Sequence, residues 1–310
     1  MNSAQQKVPP GSDPRPERYQ QGRGLALAAA GAIAFSGKAI IVKLAYRHGV
    51  DAVTLIMLRM LFALPLFVAL AWWAGRGRPP LTARDWKVVT ALGFCGYYLA
   101  SFLDFAGLQY VSASLERLIL YLNPTLVLLL GWALLGQKVS VRQLAALGLS
   151  YVGVALVVGQ EVSMEGPDVA LGSLLVFASA LSYAVYLLYS GQEVRRLGSL
   201  RLTGLASTVA CGLCLLQYAV LRPLDTALHV APEVLWLSVI NATACTFAPV
   251  LMVMMAIERV GPAVTAQTGM IGPISTIVLG VLLLGEPFTA WVLMGTVLVL
   301  AGVWALARWR

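Results

Sequence analysis

The stretch from Tyr110 to Gly136 reads YVSASLERLILYLNPTLVLLLGWALLG. It is apolar over the length that crosses a hydrocarbon core of about 30 Å, with Glu116 and Arg117 near its start and Pro124 at its middle. Shifted by 149 residues, Arg259 to Gly285 reads RVGPAVTAQTGMIGPISTIVLGVLLLG. The two copies align without a gap and share Val111/Val260, Pro124/Pro273, Gly131/Gly280 and Gly136/Gly285. A membrane-length helix written twice in one chain leaves few folds open.

The rest of the chain agrees with a membrane setting. Only 12% of its 310 residues are charged and 59% are hydrophobic, whereas a soluble domain needs roughly a quarter charged to cover its surface. Ten apolar spans follow one another, at about 24–45, 52–74, 86–108, 112–136, 141–160, 169–191, 202–221, 232–257, 262–285 and 287–308. The expected class is an all-α integral membrane protein with ten transmembrane helices. Linkers such as Arg76 to Pro80 are short and rich in breakers, so consecutive spans are antiparallel neighbours. The net charge of +8 does not point to nucleic acid. The basic residues sit in short loops between spans, where they set orientation. Arg76, Arg78, Arg84, Lys87, Lys138, Arg142, Arg195, Arg196 and Arg201 fall on one side, and Asp51, Glu161, Glu165, Asp168, Asp225 and Glu233 on the other. This predicts a multi-pass protein of the inner (plasma) membrane with both termini cytoplasmic. Residues 1–22 are polar and proline-bearing and are expected to form a disordered cytoplasmic tail. The apolar stretch after them is too long for the core of a signal peptide and stays as the first span.

The duplication has a topological consequence. The match between spans 4 and 9 runs on to Gly153/Gly302, and spans 1 and 6 match at an offset of 146, as AIAFSGKA against ASALSYAV. Residues 23–160 and 161–310 therefore form two repeats of five spans. Five is odd, so the second repeat enters the membrane upside down relative to the first. Inverted repeats of this kind build secondary transporters, with the substrate between the halves near the midplane.

The chain resembles the EamA family of the drug/metabolite transporter superfamily over nearly its whole length from about residue 24. The likeness is carried by Ser112, Ala113 and Ser114 through Pro124 to LLGQ at Leu134–Gln137, and by Gly261, Pro262 and Ala263 through Pro273 to LLGE at Leu283–Glu286. Lys43 and Arg59 also fit the family's basic positions. Phe35 stands where the family often has Trp, and Gln137 replaces the common Glu. The resemblance implies export of amino acids, other metabolites or drugs, and a peripheral place for spans 5 and 10.

Ionisable residues inside a span are expensive and read as functional. Lys38 lies about 21 Å along span 1 at 1.5 Å per residue, Arg59 at a similar depth in span 2, Asp104 at the end of span 3, and Glu116 with Arg117 at the start of span 4. These five are expected to form one network, with the carboxylates offsetting the basic groups. Lys43, at a span edge, reads as an anchor. Glu116 and Asn123, seven residues apart, share a helical face, as do their counterparts Thr265 and Gly272, and the two faces are expected to meet across a cavity. Tyr97, Ser101 and Asp104 form the polar face of span 3, and Tyr121 adds a further wall. Pro124 and Pro273 each free a carbonyl in mid-span and are the candidate kinks or hinges. Cys95, Cys211, Cys214 and Cys245 read as packing residues. His48 and His229 fall in loops, and no metal-ligand or catalytic constellation and no phosphate-binding loop is present. The chain is expected to be no enzyme and to need no cofactor or metal.

The sequence therefore supports a secondary transporter that moves a small polar metabolite outward by alternating access. Both signs of charge suit a zwitterion, with amino acids the nearest fit. Glu116 and Asp104 are the candidates for proton coupling. An anionic or drug-like cargo bound by Lys38 and Arg59 is the alternative, and a membrane sensor fits less well because long loops are missing. Expected partners are the substrate, membrane lipid, a proton or other ion gradient and a second copy in a homodimer, with no nucleic acid.

Overall fold

A computed structural model describes residues 15–308 of the chain. Among them are nine apolar helical spans long enough to cross a membrane, one of which, Ala113–Leu135, is interrupted by a kink, and one shorter apolar helix. The order is α1 (Arg15–Tyr46), α2 (Ala52–Gly75), α3 (Ala83–Gly107), α4 (Ala113–Leu120), α5 (Asn123–Leu135), α6 (Val141–Glu165), α7 (Asp168–Leu197), α8 (Ser199–Leu221), α9 (Pro232–Gly261), α10 (residues 262–268), α11 (Ile271–Leu284) and α12 (Ala290–Arg308). The expected tail lies outside the described residues up to position 14. Residues 15–22 are helical and extend α1.

The starts and stops follow local chemistry. Asp51 caps α2 by accepting from Val53 N at 2.9 Å and Thr54 N at 3.2 Å. Ser140 and Gln143 close a reciprocal capping box at the start of α6, which satisfies two amide donors that a helix start otherwise leaves open. Gly136 and Gly285 end α5 and α11 with φ of 64° and 73°. The amides of Gln137 and Glu286 then fold back to the carbonyls of Gly131 and Gly280, each at 3.1 Å. A left-handed residue closing a helix in this way favours glycine. The repeated LLG[QE] is thus a helix stop.

Each repeat's first helix packs against the other repeat. α1 lies on α9, α10 and α11, while α7 lies on α3, α4 and α5. The symmetry-matched helices pair with each other, α2 with α8 and α6 with α12. In the second pair the matched glycines touch the partner backbone. A methyl at Gly153 would meet Gly295 O at 2.7 Å, and one at Gly302 would meet Ala146 O at 2.6 Å. This close approach at small residues is how membrane helices gain contact without a hydrophobic drive.

Two features depart from the expected spans. Span 4 is kinked sharply enough to interrupt its helical bonding at Tyr121 and Leu122, between α4 and α5, and span 9 likewise at Gly269 and Met270, although all four residues keep right-handed helical φ/ψ. In addition, α3 and α9 each contain a widened π-type turn, Phe94–Leu99 and Thr243–Phe247. These turns start 149 residues apart, so the irregularity is duplicated with the sequence. In α3, Ser182 and Ser179 of α7 donate to Cys95 O at 2.8 Å and Ala100 O at 2.7 Å. Those bonds supply partners around a turn whose own ladder is disturbed.

Candidate functional site

The split helices meet where the repeats cross, and α1 runs between them. Lys38 of α1 places Nζ 2.5 Å from Asp104 Oδ2 of α3 and 3.1 Å from Glu116 Oε1 of α4. Glu116 is fully buried, Asp104 is 2% exposed and the Lys38 side chain 17% exposed. One cation therefore faces two carboxylates. Among the described residues, Asp104 Oδ1 and both Glu116 oxygens accept no hydrogen bond, and Glu116 is ion-paired to Lys38. Unbonded buried carboxylate oxygens are costly and leave room for one more positive charge or proton.

The expected five-member network is only partly formed. Lys38, Asp104 and Glu116 come together, but Arg117 and Arg59 do not pair with them. Successive helical residues point about 100° apart, so Arg117 leaves Glu116 behind. It donates from Nε to Thr276 Oγ1 of α11 at 3.0 Å and from a terminal nitrogen to Phe35 O of α1 at 2.7 Å. Arg117 thus ties three helices from both repeats. Arg59 is 5% exposed, reaches Ser101 Oγ at a long 3.4 Å and lies over the Phe105 ring at 4.9 Å. Its Nε has no partner. Lys43 donates to Val111 O at 2.9 Å and Leu108 O at 3.3 Å, pinning the connection between α3 and α4.

The proline breaks explain the next layer. Proline cannot donate to the carbonyl four residues earlier; Leu120 O loses that partner, and Gly269 O is bonded instead by Gly272 N at 2.9 Å. Asn123 Nδ2 takes Leu120 O at 2.7 Å, and the Tyr121 hydroxyl reaches across to Gly269 O at 2.6 Å. Ser36 Oγ of α1 donates to Gly272 O at 2.9 Å, and Gly272 leaves ordinary contact space toward Ser36 and Tyr121. Glu116 and Asn123 stand on either side of the kink. Asn123 turns its amide back to Leu120 O, whereas Glu116 faces Lys38. Thr265 donates its hydroxyl to Gly261 O at 2.8 Å, one turn earlier, rather than to the charged cluster.

Tyr97 is a second correction. Its hydroxyl is 3.1 Å from that of Tyr186, and its ring packs edge-on at 5.1 Å. It belongs to an apolar cluster with Val89, Leu92 and Leu202, while Ser101 faces Arg59 and Asp104 faces Lys38. The widened turn at Phe94–Leu99 rotates the chain before it and divides the expected polar face.

Sequence reasoning also missed two carboxylates. Glu161, expected in a loop, lies within α6, is 8% exposed, and accepts from Ser112 Oγ at 2.5 Å and Ser112 N at 3.3 Å. Glu286 accepts from Ala113 N at 2.6 Å, Ser114 N at 3.2 Å and Ser114 Oγ at 2.7 Å. The only sequence signal for Glu286 was its place in the second helix-stop motif. His48 and His229 line a separate cavity of about 370 Å³ beside Asp51 and Asp225.

Comparison with known proteins bears on this arrangement. Residues 22–159 and 170–308 each match the EamA-like transporter family. The uncharacterized transporter YcbK of Bacillus subtilis is 30% identical over 267 residues, covering 83% of each chain. An uncharacterized transporter of Archaeoglobus fulgidus is 22% identical, covering 87% of this chain and 92% of its own. The uncharacterized transporter YetK of Bacillus subtilis is 24% identical, covering 92% and 87%. One crystal structure superposes with a TM-score of 0.61 at 18% identity, over 93% of this chain and 98% of that one; at that identity the likeness is one of fold.

Proposed function

The chain belongs to the EamA-like transporter family, and from that premise we propose that it exports a small polar metabolite, an amino acid or similar zwitterion, by alternating access. It is a multi-pass membrane transporter rather than an enzyme. The observation that carries the substrate reading is the buried triad of Lys38, Asp104 and Glu116, with one cation set against two carboxylates.

The triad leaves a charge deficit that either a proton or a substrate ammonium can fill. The two then compete for one place, which is the elementary requirement for proton-coupled exchange. Arg59, with its unpartnered Nε, offers a counter-charge for the substrate carboxylate. Ser101 lies beside Arg59, while Tyr121, Asn123 and Gly272 shape the crossing of the repeats. Arg117 and Thr276 hold that crossing together, and Pro124 and Pro273 keep both helices broken there. The basic loops on one side support a topology with both termini in the cytoplasm of a cell whose inner membrane holds the protein.

Flux in proteoliposomes tests the coupling. Glu116→Gln supplies a permanent neutral group, so pH-gradient-driven flux is lost while substrate exchange is spared. Driven flux equal to the parent's rules out Glu116 as the coupling carboxylate. Arg59 favours a second reading, in which an anionic metabolite is the cargo. Competition by neutral amino acids against organic anions separates the two.

A further inference from the structure

We propose that Glu286 and Glu161 form the outer gate, a clasp of two carboxylates on the first turn of α4 that releases when the outer path opens and that positions Glu116 while closed. The inference rests on the alternating-access reading above.

A helix start leaves its first amides without intrahelical partners. In α4 every one is taken. Ser112 N goes to Glu161, Ala113 N and Ser114 N go to Glu286, and Leu115 N goes to Ser112 Oγ at 3.0 Å. Glu161 comes from α6 of the first repeat, but Glu286 comes from the second, so its three bonds join the halves. A fourth cross-repeat bond lies beside them: a terminal nitrogen of Arg47, the residue just after α1, donates to the carbonyl of Leu284, the last residue of α11, at 2.6 Å. All of this lies at the end of the bundle that the charge pattern assigns to the outside. Negative side chains at a helix N-terminus are favourable, and hydrogen bonds to charged groups are the strong ones. Glu116 stands in the same first turn, so releasing Glu286 frees the turn that holds the transport carboxylate against Lys38.

The inverted counterpart is chemically weaker. Gln137 replaces Glu286 and folds over Gly131 as Glu286 folds over Gly280. It carries no charge and makes no side-chain hydrogen bond among the described residues. At the start of α10, Gly261 replaces Ser112 and supplies no capping hydroxyl. The fold is symmetric, but only the outer clasp has carboxylates. The resting protein therefore favours a closed outer end.

Spin labels at Gln109→Cys and Phe288→Cys, both exposed and on opposite repeats beside the clasp, report the outer opening by double electron–electron resonance. The native cysteines are replaced by alanine. Glu286→Gln exchanges charged hydrogen bonds for neutral ones and is expected to raise the outer-open population roughly tenfold. Ser114→Ala removes one bond of 2.7 Å and gives a smaller rise; it also serves if the first variant does not fold. Gln137→Glu adds the missing inner carboxylate and raises the outer-open population from the opposite end of the molecule, an effect that a merely structural cap at Glu286 does not produce. An unchanged outer distance distribution in folded Glu286→Gln, or in folded Ser114→Ala if Glu286→Gln does not fold, overturns the gate. Distances that shift without amino-acid flux in proteoliposomes leave the gate standing and overturn the substrate reading instead.

Discussion

Replacing Lys38 by methionine removes the one cation that faces Asp104 and Glu116. The two carboxylates are 2% and 0% exposed, so solvent does not compensate for the loss. Removing one partner of a buried ion pair typically costs about 3–5 kcal/mol, because the remaining charge stays buried without a counter-ion. Two carboxylates lose their partner here, so Lys38→Met is expected to fall at the upper part of that range. The informative comparison is with Lys38→Met/Asp104→Asn/Glu116→Gln. That triple variant keeps the side-chain volumes but carries no buried charge, and it is expected to recover most of the lost stability while remaining inactive in transport. Chemical unfolding in a defined detergent, with helicity as the readout, measures both. A Lys38→Met protein as stable as its parent, or a triple variant no more stable than Lys38→Met, refutes the premise that the lysine holds two ionised carboxylates.

Three further outcomes follow from other parts of the fold. Burial alone raises the Asp51 carboxyl, but hydrogen bonds from Thr54 and the neighbouring Arg222 outweigh it and hold it below the ordinary carboxylate value. Its contribution is thus full above the unfolded value near about 4 and is lost as pH falls through the folded value; Asp51→Asn, which keeps a capping side chain, flattens the acid limb of a melting-temperature profile. Tyr121→Phe strips the hydroxyl from Gly269 O and is expected to cost about 1 kcal/mol in chemical unfolding, the carbonyl keeping its bond from Gly272 N. Gly302→Ala drives a methyl into Ser150 and Ala146 O, and overpacking costs about 1–3 kcal/mol; thermal stability falls, while flux per folded molecule is retained because the contact at Ser150 and Ala146 touches neither the charged triad nor Glu161.

The fold was legible because its signals are long. Membrane length, short linkers and a repeat offset of 149 act over many residues, and no local irregularity erases them. Pairing of Lys38 with Asp104 and Glu116 was legible for a different reason. Ionised groups in a span have to find one another, and these three lie at compatible depths. Relations that depend on helical phase were not legible. Asn123 spends its amide on Leu120 O inside the kink, and the widened turn at Phe94–Leu99 separates Tyr97 from Ser101 and Asp104. FCGYYL and TACTF share no residue pattern that marks such a turn. Glu286 was visible only as the last letter of a motif, because a side chain that crosses between repeats has no periodicity to betray it.

The central claim is that Lys38 and Glu116 belong to a site that recognises a zwitterion. A thermal-shift screen of the purified protein against the common amino acids and a matched set of organic anions, repeated on Lys38→Ala and Glu116→Ala, tests it most directly. The expected result is a zwitterionic amino acid that stabilises the parent and neither variant. Equal stabilisation of the parent and Glu116→Ala by the same compound, or stabilisation of the parent by anions alone, contradicts it.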